Sequence, residues 1–400
     1  MEQAISTMAK EVFILGGKRT PMGQYVGALK DISAIDLGAV AARGALEATG
    51  VSPEEIDHTI IGNALQTSGD AIYGARHVAL KAGVPFDRPA LTVNRLCGSG
   101  IQSIVSGAHM IQLGEANTAL VGGIESMSQA PHVLRGARSG FALGEGKLED
   151  SLMVALLDTY CNTPMAGTAE NLARKFEISR EEQDAYAYRS QQEAKRARDA
   201  CYFSEEIVPV EVKSRKSSFM FAQDDHMRPE TTLEGLAKLR PAFAKDGFVT
   251  AGNASGIVDG GAALVIAGEE YVKNKGLSSL GRIVSWAYAG VEPEIMGIGP
   301  VPATRKALEK AGLKLSDMDL IEVNEAFAAQ YLAVEKELGL DRSKTNVNGG
   351  AIALGHPLGA TGTRLVLTAL LELRRRKARY ALTTACIGGG QGIAMIVERV

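Results

Sequence analysis

Apolar positions along this chain fall into two rhythms. Short continuous apolar runs close the segments "TIIGNAL" and "LIEVNEAF" and recur in "ALTV", "ANTALVGG", "GGAALVIAG", "YALTT" and "IAMIVE". Their length and content predict buried strands. Between them, Ile101, Ile104, Val105, Ala108 and Ile111 repeat at helical spacing, as do Leu365, Leu367, Leu370 and Leu371. The second helix runs into Arg374, Arg375, Arg376 and Lys377, where cations meet the negative end of a helix.

The rhythm repeats. "ALEATGVSPEEIDHTIIGNAL" from Ala45 returns as "ALEKAGLKLSDMDLIEVNEAF" from Ala307, an offset of 262 (307 − 45). Each copy predicts a helix ending near a glycine, Gly50 or Gly312, then a strand. Val93-Asn94 and Val347-Asn348 open a second shared feature at an offset of 254 (347 − 93). The reading is two β-α-β-α-β halves, near 10–125 and 280–400, whose mixed or parallel sheets are covered by helices. Residues 130–250 differ in texture: glycine-rich loops, the polar helical stretch "EEQDAYAYRSQQEAKRARDA", then "KSRKSSF" and "HMRPETT". This reads as an insertion before the chain returns to the first half at residues 260–268.

Composition narrows the class. The 400 residues are 46% hydrophobic and 22% charged, enough for a large soluble core. A net charge of −3 gives no electrostatic case for nucleic acid. No apolar stretch reaches about 18 residues, and "MEQAISTMAKEVFIL" has no secretory pattern, so no membrane partner and a cytoplasmic location are expected. Four cysteines, Cys97, Cys161, Cys201 and Cys386, form no C-x-x-C pair, so no metal site is expected.

Three glycine-framed stretches carry candidate chemistry. "NRLCGSG" sets Cys97 at a strand-to-helix turn, where the helix N-terminus would lower the thiol pKa; an inert core cysteine is the alternative. "GGAIALGHPLGATG" isolates one imidazole, His356, among small residues ahead of a helix near Ala360. Buried and neutral, it could take a proton from a thiol; a hydrogen-bonded structural histidine is the alternative. "ACIGGGQG" puts Cys386 at the head of a glycine run between two strands, an exposed backbone able to cradle an anion or a plain hairpin. In "EVNEAFAAQ", Asn324 and Glu325 stand where a strand should meet a helix, as site residues or with Asn324 as an N-cap. Phosphate-loop, dinucleotide and G-x-S-x-G patterns are not met.

Taken with "KRTPMG", "GGIESMSQAP" and "AGNASGIVDG", these stretches resemble, in order, the active-site blocks of the thiolase family over about residues 10–398. The resemblance implies a thiolase fold: two duplicated halves in a layered α-β-α-β-α sandwich, 10–272 with an inserted loop domain at about 126–249, and 277–398. It implies an acyltransferase that cleaves 3-ketoacyl-CoA with free CoA and condenses acetyl-CoA in reverse. Cys97 would carry the acyl group, His356 would accept its proton, and Cys386 would protonate or deprotonate the α-carbon. His356 with a water held by Asn324, and the backbone N–H groups of Cys97 and Gly388, would serve the two oxyanions. Ser255 and Arg228 would contact CoA, and Met165, Met296, Ala326 and Phe327 would line the acyl end. No permanently bound cofactor is implied; CoA and acyl-CoA are substrates, and the protein would be a homodimer or homotetramer with a contact in the loop near 125–145.

Pro164 stands where biosynthetic members often carry histidine, which favours degradative or broad chain-length use over a strictly biosynthetic acetoacetyl-CoA enzyme. A ketoacyl synthase shares the doubled fold but not the second thiol. A non-catalytic acyl-CoA carrier would not need Cys97 and His356, and a cysteine hydrolase would not need Cys386.

Overall fold

The computed structural model describes residues 10–213 and 217–400. The leader reading of residues 1–9 and the middle of "KSRKSSF" fall outside them. The first half supplies β1 (Val12–Arg19), α1 (Ala34–Thr49), β2 (His58–Asn63), α2 (Gly74–Lys81), β3 (Ala90–Val93), α3 (Ser99–Leu113), β4 (Thr118–Ser126) and, after the insertion, β5 (Val258–Gly268). The insertion holds α4 (Met165–Lys175) and α5 (Arg180–Asp199) among short hairpins. The second half supplies β6 (Gly281–Gly290), α6 (Pro300–Ala311), β7 (Leu320–Val323), α7 (Ala328–Leu338), α8 (Leu358–Arg376), β8 (Tyr380–Ile387) and β9 (Gln391–Glu398).

All nine strands join one ten-stranded mixed sheet in the order β7-β8-β9-β6-β1-β5-β4-β2-β3, with the short strand Gly23–Gln24 beside β5. Parallel pairs lie toward the two ends, β2 with β3 and β4, and β7 with β8. The halves meet at a narrow antiparallel seam, Phe13 opposite Arg282 and Ile14 opposite Gly281.

The layers follow from which helix faces are apolar. Ile101, Ile104, Val105 and Ile111 of α3 and Val366, Leu367, Leu370 and Leu373 of α8 form one buried cluster. It includes Val121, Leu264 and Ile266 from one half's strands and Ile387, Ile393 and Met395 from the other's. Helices α3 and α8 are therefore the middle layer, packed between the strands of the two halves, and α8 is buried on every face from Leu358 to Leu373, its polar Arg364 and Glu372 included. α1 and α2 cover the outer face of the first half, and α6 and α7 that of the second. The Ser33 side chain caps α1 through Asp36 N at 3.1 Å. α1 and α6 end at Gly50 and Gly312, both left-handed, the predicted helix stops.

The middle layer can form because backbones approach closely. A Cβ on Gly123 of β4 would sit 1.8 Å from the Gly359 carbonyl at the start of α8. The insertion is tied to the first half by Arg19, fully buried, whose guanidinium meets Glu206 at 2.8 Å and Asp224 at 2.7 and 2.9 Å. A buried charge is tolerable only when paired in this way.

Candidate active site

Cys97 occupies the expected turn. β3 ends at Val93, Leu96 takes a left-handed φ of 45°, and one 3-10 turn leads into α3. The Asn94 side chain holds that strained turn. Its Oδ1 accepts from Leu96 N at 2.9 Å and its Nδ2 donates to the Ala64 carbonyl at 3.0 Å. The backbone N–H groups of Cys97 and Gly388 lie where they favour the Cys97 thiolate.

The expected fall in thiol pKa does not occur. Burial in apolar surroundings pushes Cys97 up to about 11, outweighing the two N–H contacts, and the nearby Glu125 carboxyl adds to the rise. Cys97 keeps some accessible surface toward a cavity, so it is reachable although its resting form is the thiol.

His356 is held by its frame. Gly355 has φ 95°, and a Cβ there would strike Val258 at 2.3 Å. The ring's Nδ1 lies 2.6 Å from Thr361 Oγ1 and its Nε2 lies 3.3 Å from Asn324 Nδ2. Burial, helped by the Arg364 charge, lowers its pKa to about 3, so the imidazole is neutral across the physiological range.

The Cys386 loop is a hairpin whose Gly388 and Gly389 line a cavity. β8 and β9 pair across Gly388–Gly390, with Cys386 opposite Gly392. The Cys386 thiol is fully buried against Met296 and Ala326, and burial followed by the charge of Cys97 drives its pKa well up. Asn324 is not a helix cap. Phe327 holds the N-cap position of α7, while the Asn324 amide turns to His356. Among the described residues its buried Oδ1 has no hydrogen-bond partner.

A cavity of about 430 Å³ collects these groups. Cys97, His356 and Gly388 line it with Ser255, Met165, Met296, Ala326 and Phe327. Cys386 sits just behind Met296 and Ala326. Arg228 is outside the wall and exposed, its guanidinium bonded to the Asp225 and Met227 carbonyls and to Gln24 Oε1, each at 3.2 Å.

Sequence reasoning missed much of the wall: Leu96, Met127, Met153, Leu156, Phe243 and Leu358. It also gave no role to the buried carboxylate of Glu125, and to that of Glu325 only a place at a strand end. Glu125 accepts from Asn63 Nδ2 (2.8 Å), Ala64 N and Leu65 N (3.1 Å each) and Gly359 N (3.0 Å), yet burial still raises its pKa to about 7. It brackets the loop carrying Ala64, on which Asn94 leans, to the helix start beside His356. Glu325 accepts from Tyr186 Oη and Ser190 Oγ (2.7 Å each), Asn346 Nδ2 (2.9 Å) and Ile352 N (3.1 Å). Each acid interrupts an apolar run in "GGIESM" and "EVNEAF", and a buried carboxylate implies waiting donors. Among the described residues no cluster of three or more histidine, cysteine or carboxylate groups could hold a metal, and no helix is long and apolar enough to cross a membrane. Two thiols, a neutral imidazole and backbone N–H groups around an apolar cavity suit acyl transfer through sulfur.

Residues 12–270 match the family profile "Thiolase, N-terminal domain", and residues 277–399 match "Thiolase, C-terminal domain". The chain is 58% identical over 98% of its length, and 99% of the relative's, to the mitochondrial 3-ketoacyl-CoA thiolase of Homo sapiens. It is 47% identical, over 98% of its length and all of the relative's, to the acetyl-CoA acetyltransferase of Allochromatium vinosum. The crystal structure of the human mitochondrial 3-ketoacyl-CoA thiolase in complex with CoA superposes with a TM-score of 0.95 at 58% identity, covering 98% of this chain and 99% of that one.

Proposed function

This chain belongs to the thiolase family, and from that premise we propose that it is an acyltransferase cleaving 3-ketoacyl-CoA with CoA and running the Claisen condensation of acetyl-CoA in reverse. The observation that carries the proposal is the meeting of Cys97, His356 and Gly388 around one cavity, with Cys386 directly behind it.

The resting state is neutral: two thiols and an imidazole. Cys97 loses its proton to His356 as its sulfur attacks the C3 carbonyl, and the oxyanion forms beside the Cys97 and Gly388 N–H groups. Collapse breaks the C2–C3 bond, and the carbanion of acetyl-CoA takes the Cys386 proton. His356 and Asn324 face the thioester oxygen where enolate charge gathers. CoA then gives its thiol proton to the Cys386 thiolate and displaces Cys97, which recovers its proton from His356. Raised thiol pKa values suit this sequence. Each thiolate is made when its reaction needs it, in a cavity where fixed donors act at low dielectric.

CoA and acyl-CoA bind as substrates through this cavity, with Ser255 on the pantetheine arm and Arg228 outside, toward the nucleotide. The apolar wall of Met127, Met153, Leu156, Met165 and Phe243 accepts chains longer than acetoacetyl, which favours the degradative or broad-chain role. The protein acts as a homo-oligomer. Among the described residues β3 leaves one sheet edge unpaired beside exposed Ile72, Tyr73 and Phe86, a surface fit to meet a second copy. Exposed Leu143 and Phe141 lie in the loop between the strands His132–Leu134 and Leu148–Asp150, a contact for a dimer of dimers.

All four cysteines are free thiols, which fits a reducing compartment, cytoplasm or mitochondrion. The test is to supply acetoacetyl-CoA and a C8 3-ketoacyl-CoA, each with CoA. Both should be cleaved to acetyl-CoA; turnover of neither would favour a carrier, and release of free acid without CoA a hydrolase.

A further inference from the structure

We infer that Thr361 is a positioning residue that fixes His356 with its hydrogen on Nδ1, leaving Nε2 bare to receive the Cys97 proton. The inference rests on the role proposed for His356 above. Thr361 lies in the first turn of α8, four residues beyond Pro357. Its fully buried hydroxyl donates to the Pro357 carbonyl at 3.0 Å, the back-bond that threonine makes within helices. That carbonyl is itself anchored by Ala360 N (2.9 Å) and Thr361 N (3.0 Å). A hydroxyl has one hydrogen. With it committed to Pro357, the oxygen can only accept, so at 2.6 Å the ring's Nδ1 must be the donor.

The opposite side of the ring agrees. Asn324 presents its Nδ2 to Nε2 at 3.3 Å. An amide N–H facing a ring N–H would leave two donors opposed, whereas a bare Nε2 accepts. The threonine, from α8, selects the tautomer, and the asparagine, from the loop after β7, fits it with Nδ2 toward the ring.

In the proton transfer, the Cys97 S–H bond breaks with its electron pair staying on sulfur, an N–H bond forms at Nε2, and the Asn324 N–H gives up its contact with that nitrogen. The ring becomes a cation whose Nδ1–H still rests on Thr361. Thr361 neither gains nor loses a proton. Burial makes that cation costly, since the ring's pKa is lowered to about 3, so an acceptor at Nδ1 strengthens the base when it is needed.

The experiment compares Thr361→Val, which keeps the shape and removes the acceptor, with Thr361→Ser, which keeps it. Valine should lower kcat for acetoacetyl-CoA cleavage by about 10–100-fold with KM for CoA little changed, and serine should restore most of the rate. Inactivation of Cys97 by iodoacetamide at neutral pH should slow in the valine variant, with its pH profile displaced upward, and recover with serine. Nitrogen-15 NMR of the resting wild-type enzyme should show His356 Nδ1 protonated and Nε2 bare.

Valine at the wild-type rate, valine and serine falling equally with an unmoved alkylation profile, or a bare Nδ1 would each overturn the assignment. The NMR readout holds even if valine fails to fold. Absence of cleavage by wild-type enzyme would sink the functional proposal instead, while the tautomer would still be read.

Discussion

The two halves put the same pieces in the same places and use them differently. β2 ends in Asn63 and β7 ends just before Asn324, and each asparagine is buried at the mouth of its half. The Asn63 amide is bound at 3.0 Å to the Ile124 carbonyl and at 2.8 Å to Glu125. The Asn324 amide turns to His356, and among the described residues its oxygen has no partner. In the function proposed above, the start of α3 carries the nucleophile, while the start of α8 carries the base and the threonine inferred to hold it. On that proposal one half mainly holds and the other mainly reacts, with Cys97 entering from the holding half.

The largest effects should fall on the groups that cross or face that line. Cys97→Ala should remove both cleavage and acyl transfer, by about 10⁴-fold or more. Cys386→Ser should lower cleavage by about 10²–10⁴-fold yet still let an acyl-CoA load Cys97, measured by trapping labelled acyl-enzyme. Equal loss of both activities would contradict the division of labour between the thiols.

Next come the paired asparagines. Asn324→Ala should cost about 10²–10³-fold in kcat with little change in melting temperature. Asn63→Ala should cost about 1–3 kcal/mol of stability and leave kcat near that of the parent. A matching kcat loss in both would erase the distinction drawn here.

The mildest test is of pH. With the Cys97 pKa raised to about 11, the thiol is protonated at neutral pH. Its alkylation rate in the absence of substrate should climb about tenfold per pH unit between pH 7 and 10. A plateau already reached at pH 7 would mean that a resting thiolate is present.

The doubled architecture was readable because its strands are continuous apolar runs and its helices end at glycines in equivalent places. Cys97, His356 and Cys386 stood out through their glycine frames. The thiol shift was misjudged because a helix N-terminus is visible in a sequence and the depth of burial is not. The far wall was illegible: Met153, Leu156 and Phe243 come from an insertion without periodicity, and only folding brings them opposite Cys97. Thr361 was present in the quoted "GATG", but its meaning depends on where one hydrogen points, which no spacing encodes.

That wall has a further consequence. In the proposed function the reacting groups come from the paired halves, whereas much of the surface an acyl tail would meet is lent by the insertion, through Met153, Leu156, Met165 and Phe243. On that proposal, appetite for short or long fatty chains would be uncoupled from bond-making. A protein engineer could recut this one detachable region to change diet while leaving the chemistry as it is.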